Sequence, residues 1–454
     1  MNLPHGIVRF DALAAADGYG VIAAPASVLL RVEPVLGCKL RVIATLLACG
    51  RPDHVDHHPA AASAHVIDRR RCVVLPGLVN AHTHLDLTHI GPQPFDPAGG
   101  FAGWADMVRR RRLTDPNEIA ASVRHGVELN LAAGVVAVGD IAGAVMGKAS
   151  PAAVEALQAT EMNGVSYVEF FAIGPQSEAN VDRAVEVARA CSADRPVHST
   201  VTVGLSPHAP YSVSIDSYNR AIDRRHELKV PLMTHLAESP DERELIQHGR
   251  GPIRDLLERV GVWDQAAAAD FGHGKSPAQH LIDAGLNTGV APLIFVHLND
   301  IADDEIAAVL RMGNVGVVYC PRASEYFQTD RHFGPHKYRQ FIGQLGRGPG
   351  IGTDSIVNLP PGSDHTETGQ FGPLAEIRRL YRRDGTDPKS LIWMATAGGA
   401  DVLDGAVWNY FLQEDDSNLA GLIAVPVAGD ADPLQAVLAG SHPPELLVLG
   451  TPVY

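Results

Sequence analysis

Between residues 72 and 355 the chain alternates short, nearly continuous apolar runs with longer segments of helical spacing. The apolar runs lie at 72–84 (CVVLPGLVNAHTH), 134–143 (GVVAVGDIAG), 165–174 (VSYVEFFAIG), 200–210 (TVTVGLSPHAP), 230–239 (VPLMTHLAES), 293–300 (LIFVHLND), 315–324 (VGVVYCPRAS) and 348–355 (GPGIGTDS). Uninterrupted apolar runs of this length read as strands covered on both faces. Between them, 116–134 (PNEIAASVRHGVELNLAAG), 178–192 (EANVDRAVEVARACS) and 302–313 (ADDEIAAVLRMG) repeat their apolar positions every three to four residues, as helices do. Strands and helices in strict alternation predict an α/β fold, a (β/α)8 TIM barrel.

The flanks carry a different pattern. Residues 1–72 hold short β-branched runs such as SVLLRVEP and LRVIATLL, broken by Gly and Pro, and the chain beyond 405 returns to the same pattern. The expectation is a small β-sandwich domain built from 1–72 and 405–454, beside a barrel over 73–404. The polar stretch RPDHVDHHPAAASAH (51–65) reads as a flexible loop, with His54, His57 and His58 loosely placed rather than organised for a metal.

Composition narrows the function classes. A net charge of −15 over 454 residues argues against a nucleic-acid partner. The Arg69–Arg71 and Arg109–Arg112 clusters lack interleaved aromatics and read as solvated edges. Five scattered cysteines form neither a disulfide framework nor a CxxC pair. With no leader-like start and no apolar run free of charges, the chain reads as cytoplasmic and not membrane-bound.

In a TIM barrel the chemistry collects at the C-terminal ends of the strands. The predicted ends carry His82 and His84, His208, His235 with Glu238, His297, and Asp354. His82 and His84 stand two apart, so on a strand both rings face the same way. With His235 and Asp354 they make a three-nitrogen, one-oxygen set that leaves a position for water. A divalent ion there lowers the pKa of bound water from about 16 to roughly 7. Glu238 is placed to take a proton from that water and pass it to a ring nitrogen, and His297 to orient the hydroxide or polarise the substrate. His89 falls at an odd offset past the strand end and reads as a loop or pocket-rim residue.

The segments PGLVNAHTHLDL, GLSPHAPYSVS, MTHLAES, FVHLND, VVYCPRAS and IGTDS, in this order over about 72–400, resemble the amidohydrolase superfamily in its cytosine deaminase/chlorohydrolase (ATZ/TRZ-like) branch. HTHLDLTHIGP with GGFAGWADMVRRRR is also similar to aminodeoxyfutalosine deaminases. The resemblance implies that His82, His84, His235 and Asp354 are metal ligands, that Glu238 shuttles the proton, that His297 and Asp354 assist attack, and that His208 contacts substrate. The superfamily's two-metal pattern needs a lysine after strand 4, and none occurs between Lys148 and Lys229. One ion is therefore expected, Zn²⁺ first and Fe²⁺ second.

The implied reaction is hydrolytic removal of the amino group from an aminopurine or aminopyrimidine nucleoside, or from aminodeoxyfutalosine. Alternatives are a chlorohydrolase or cyclic amidohydrolase on the same barrel, and a barrel that binds without turnover. Trp104 and Phe101 offer faces for a base, against the plainer reading of core aromatics. After strand 3, AIGPQSEAN lacks the arginine that some members use for a substrate carboxylate, which disfavours S-adenosylhomocysteine. The stretch SIVNLPPGSDHTETGQF (355–371) is long and polar, and Asp364, His365 and Glu367 are expected to shape the pocket mouth. The expected partner is a small heterocyclic substrate, with a homodimer left open.

Overall fold

The structure, a computed structural model, describes residues 3–286, 291–344, 347–362, 371–403, 409–412, 417–428 and 432–451. Fifteen strands among them form two sheets. The first comprises β1 (Gly6–Asp17), β2 (Gly20–Ala23), β3 (Ala26–Pro34), β4 (Arg41–Gly50), β5 (His65–Pro76), β14 (Gly421–Pro426) and β15 (Glu445–Gly450). The second comprises β6 (Leu78–Thr83), β7 (Val135–Ala142), β8 (Asn163–Phe170), β9 (Val201–Pro207), β10 (Leu232–Leu236), β11 (Leu293–His297), β12 (Val315–Tyr319) and β13 (Gly350–Ile351).

All eight barrel strands run parallel and in sequence order. The barrel closes where β13 meets β6: the Thr353 and Asp354 amides donate to the His82 carbonyl at 3.0 and 3.1 Å, and the His84 amide donates to the Asp354 carbonyl at 3.1 Å. Closure thus joins the first and last strands at the residues expected to hold metal. The predicted helices appear as Pro116–Ala132, Ser177–Ala193 and Asp303–Arg311.

The first expected strand proves to be two. Residues 65–76 belong to the small sheet and 78–83 to the barrel, with Gly77 between them. A Cβ on Gly77 would lie 2.4 Å from a Val136 methyl, so the crossing tolerates no side chain. In the small domain β1 pairs with both β3 and β5, so the two faces of the sandwich join into a closed six-strand ring, with β2 added on β1. The C-terminal strands complete it, β14 on β5 and β15 on β4. Such closure leaves few free sheet edges.

The 51–65 connector is not a flexible loop. It folds as the helix Pro52–Asp56 and the 3₁₀ turn Pro59–Ser63, with Val55 buried against Leu29, Leu47 and Ala48. The ring has its own apolar core, including Phe10, Val28, Leu30, Leu46 and Leu422, and the barrel interior is filled by Val79, Ala81, Tyr167, Met233, Ile294, Val296 and Val318. No helix among the described residues is long and apolar enough to cross a membrane.

Candidate metal centre

Six titratable side chains meet at the C-terminal mouth of the barrel, all buried: His82, His84, His235, Glu238, His297 and Asp354. His82 and His84 come from the end of β6, His235 from β10, His297 from β11, and Asp354 from just beyond β13. Their ligand atoms group as His82/His84/Asp354, His82/His235/His297 and Glu238/His297/Asp354, each trio within 4.8 Å. His82 Nε2 and His84 Nε2 lie 3.5 and 3.4 Å from Asp354 Oδ1, and His84 Nε2 lies 3.3 Å from His235 Nε2. Ligands on the corners of a tetrahedron with bonds near 2.0–2.1 Å stand about 3.4 Å apart, so the spacing could hold one divalent ion.

The surroundings set the tautomers. His235 Nδ1–H donates to the His208 carbonyl at 2.8 Å, which turns Nε2 inward. His82 Nδ1 faces Met233 Sδ at 3.4 Å, and its Nε2 has no hydrogen-bond partner. Both ring nitrogens of His297 are likewise buried without partners. Buried polar atoms left unpaired are costly, and a cation that several of them share removes the cost. Nitrogen and carboxylate donors of this kind suit Zn²⁺ or Fe²⁺.

Burial drives the acid–base properties. It lowers the His84 and His297 pKa values to about 3 and His235 well below the usual range, which favours the neutral form of all three rings. Burial opposes ionisation of Asp354 too, but the surrounding His82, His297 and His84 rings favour its carboxylate and bring its pKa down to about 2. Glu238 goes the other way: burial first, then Asp354 and Glu242, raise its carboxyl well above the normal range. The surroundings thus favour the ionised form at Asp354 and the protonated form at Glu238, which lies 3.5 Å from His297 Nε2.

The backbone here is strained. Ala237, His297, Leu298 and Asp354 have φ of +56°, +78°, +52° and +58°. Non-glycine residues pay about 1–3 kcal/mol for such conformations, so neighbours must hold them. Glu242 does so just beyond β10, accepting from the Ala237 and Glu238 amides at 3.1 and 2.7 Å. Asn299 donates to the Glu238 carbonyl at 2.9 Å and is itself fixed by Ser324 at 2.6 Å. His336 accepts from the Tyr338 amide at 2.9 Å, so its Nε2–H donates to the His297 carbonyl at 2.6 Å while the ring stacks on Tyr319. Asn358 donates to Asp354.

The remaining sequence candidates sit around this core. His208 hydrogen-bonds Ser212 at 2.7 Å, packs on Phe171, and lies 5.1 Å from the His235 ring. Trp104 is half-buried between Phe101, Phe327 and the Leu87–Val108–Val357 cluster, with its indole N–H unpartnered. His89 does not join the centre; its ring nitrogens bond the Asp86 and Arg111 carbonyls. Asp364, His365 and Glu367 lie outside the described residues.

The basic run was misread. Arg109 and Arg110 pair with Asp106 on their own helix, but Arg112 turns inward and bridges Asp86 at 2.7 Å and Glu169 at 3.1 Å. Three residues at the site had no local signature: Arg112, Glu169 and His336. Glu242 did have one, since Ser239-Pro-Asp-Glu242 is a capping-box pattern.

A (β/α)8 barrel flanked by a ring from both termini, with a histidine/aspartate donor cluster at its mouth, defines the class. The amidohydrolase family model matches residues 73–404, and the chain belongs to that family. Aminodeoxyfutalosine deaminase of Deinococcus radiodurans is 29% identical over 377 residues, covering 80% of each chain. The structure of Helicobacter pylori aminofutalosine deaminase with methylthio-coformycin superposes with a TM-score of 0.70 at 19% identity, covering 97% of this chain and 98% of that one. Atrazine chlorohydrolase TrzN of Arthrobacter aurescens TC1 with zinc gives 0.69 at 16% identity, covering 97% and 95%.

Proposed function

We propose that the protein is a metal-dependent hydrolase that removes the amino group from an aminated purine nucleoside, with aminodeoxyfutalosine first among substrates to test. The observation that carries this reading is the buried convergence of His82, His84, His235 and Asp354 at metal-site spacing, beside Glu238, which lies 3.5 Å from His297 Nε2. The Deinococcus relative, alike over most of both chains, supports the choice of substrate.

In this reading His82, His84, His235 and Asp354 hold one divalent ion, zinc before iron. The ion, when bound, supplies the Lewis acidity that makes water a nucleophile at neutral pH. Glu238 moves the protons: its carboxyl protonates a ring nitrogen beside the carbon that bears the amino group, and its carboxylate takes a proton from the attacking water. That proton then goes to the departing amino group, and as the C=O forms the added hydroxyl returns its proton to Glu238. Water and the C–NH2 group become C=O and ammonia, with no net change in protons. His297, 3.5 Å from Glu238, donates to the oxygen that adds, and Asp354 orients the water. His208 and Trp104 face the heterocycle. The free state of all five cysteines supports action in a reducing, cytoplasmic setting.

The test is ammonia release by zinc- and iron-loaded protein from a panel of aminopurine nucleosides including aminodeoxyfutalosine. Turnover that disappears in Glu238→Gln with metal still bound supports the reading. Chloride release from chlorotriazines, or no turnover of any aminopurine, refutes it.

A further inference from the structure

Beside the metal centre lies a buried ionic group that the proposed chemistry does not use. Arg112, at the end of the helix Gly100–Arg111, reaches back across the barrel mouth. Its Nη1 bonds Asp86 Oδ2, two residues past His84, and its Nη2 bonds Glu169 Oε2, near the end of β8. The Arg112 side chain is 15% exposed and that of Glu169 1%. Glu169 also accepts from the Ala144 amide at 3.0 Å, and Asp140 accepts from the Leu85 amide at 3.0 Å. One guanidinium therefore bridges two buried carboxyls, Asp86 and Glu169.

The path of Arg112 is cut into the backbone. A Cβ on Gly143 would fall 1.5 Å from Arg112 Nη1 and 2.3 Å from Asp86 Oδ2. Gly143 has no positive φ, so what this position needs is space for the guanidinium. The region so tied includes the segment 85–112, which carries Trp104, and the strand end that faces His208. A surface ion pair would contribute little, but removing one partner of a buried pair strands its carboxylates.

We propose that Arg112, seated in the slot over Gly143, is a positioning residue: it latches the segment 85–112 across the mouth to β8 and thereby fixes the substrate-facing wall of the site. It touches neither metal nor reacting atoms. Its contribution is to substrate binding, realised through Asp86, Glu169 and the Trp104 helix. The proposal rests on the site reading above and deepens it.

Arg112→Met and Gly143→Ala are compared singly and combined in the metal-loaded full chain. Each single variant is expected to raise KM about tenfold or more with kcat within about threefold, the mark of lost binding rather than lost chemistry. Metal content is expected to remain at the wild-type level. Gly143→Ala acts by expelling Arg112, so it should cost almost nothing further once Arg112 is Met; this non-additivity is read both in KM and in thermal unfolding. Arg112→Lys should recover part of the KM loss. Additive effects of the two substitutions, or a fall in kcat with KM unchanged, overturn the proposal. If wild-type protein deaminates no aminopurine, the deaminase reading fails separately. The latch is then judged by the unfolding cycle, which needs no substrate.

Discussion

The chain carries two histidine clusters of similar appearance in sequence, and they have opposite physics. His54, His57 and His58 lie in the connector before β5; His57 is exposed and bonds the Asp53 carbonyl of its own helix, and His58 accepts from the Ala60 amide. Their needs are met locally. His82 and His84 are buried, and atoms such as His82 Nε2 find no local partner. What completes them comes from more than 150 residues away, as His235 and Asp354. Histidine density says little; unmet hydrogen-bonding capacity under burial marks the site.

The comparison breaks most sharply by substitution at the ligands. His235→Ala should abolish bound metal by elemental analysis and lower kcat/KM at least about 10³-fold, because the ion supplies the nucleophile. A chelator should do the same to wild-type protein, with activity returning on zinc addition. His57→Ala should leave both metal content and turnover at wild-type values. Metal retained in His235→Ala, or lost in His57→Ala, would reverse the assignment of the two clusters.

Next in size is Glu238→Gln. It keeps the shape of the side chain and removes the titratable proton, so turnover should fall about 10²–10⁴-fold while metal stays bound. That separates the proton carrier from the ligands. Loss of metal along with turnover would place Glu238 among the ligands instead.

The barrel was legible because its eight strands are buried on both faces, which leaves uninterrupted apolar runs. The buried His/Asp cluster was legible for a related reason: chemistry gathers at strand ends, and strand ends can be read from those runs. The break at Gly77 was hidden, since CVVLP and LVNAHT run on as one buried stretch though they enter different sheets. The connector 51–65 looked loose because one buried residue, Val55, anchors it. Arg112 was hidden more deeply. In sequence it is the last of four arginines, and only the turn at the end of its helix sends it inward while its neighbours stay at the surface.

His336 sharpens the comparison at a smaller scale, since it is a third kind of histidine: half-buried, fully bonded, and outside the His/Asp cluster. Its Nε2–H holds the carbonyl of His297, whose φ is +78°. His336→Phe keeps the stack on Tyr319 and deletes the donor. Residues that orient a site from behind cost about 10–100-fold when removed, and the lower end is expected here because β11 still fixes the His297 backbone. The loss should fall on kcat with metal content unchanged. An unaltered kcat would show that the strand alone positions His297.

The smallest effect belongs to the exposed cluster. His58 caps the 3₁₀ turn Pro59–Ser63 by accepting from the Ala60 amide at 3.2 Å. Removing a cap of this kind costs about 0.5–1 kcal/mol, and less where solvent can take over the bond. His58→Ala should therefore lower the unfolding midpoint slightly and leave turnover untouched, whereas His58→Asn, which also caps well, should restore the midpoint. The turn lies against the small ring, packed with Val55 and Leu29. A change in turnover at His58 would mean that the ring and the barrel mouth are coupled, and the separation drawn between the two clusters would fail at its weakest point.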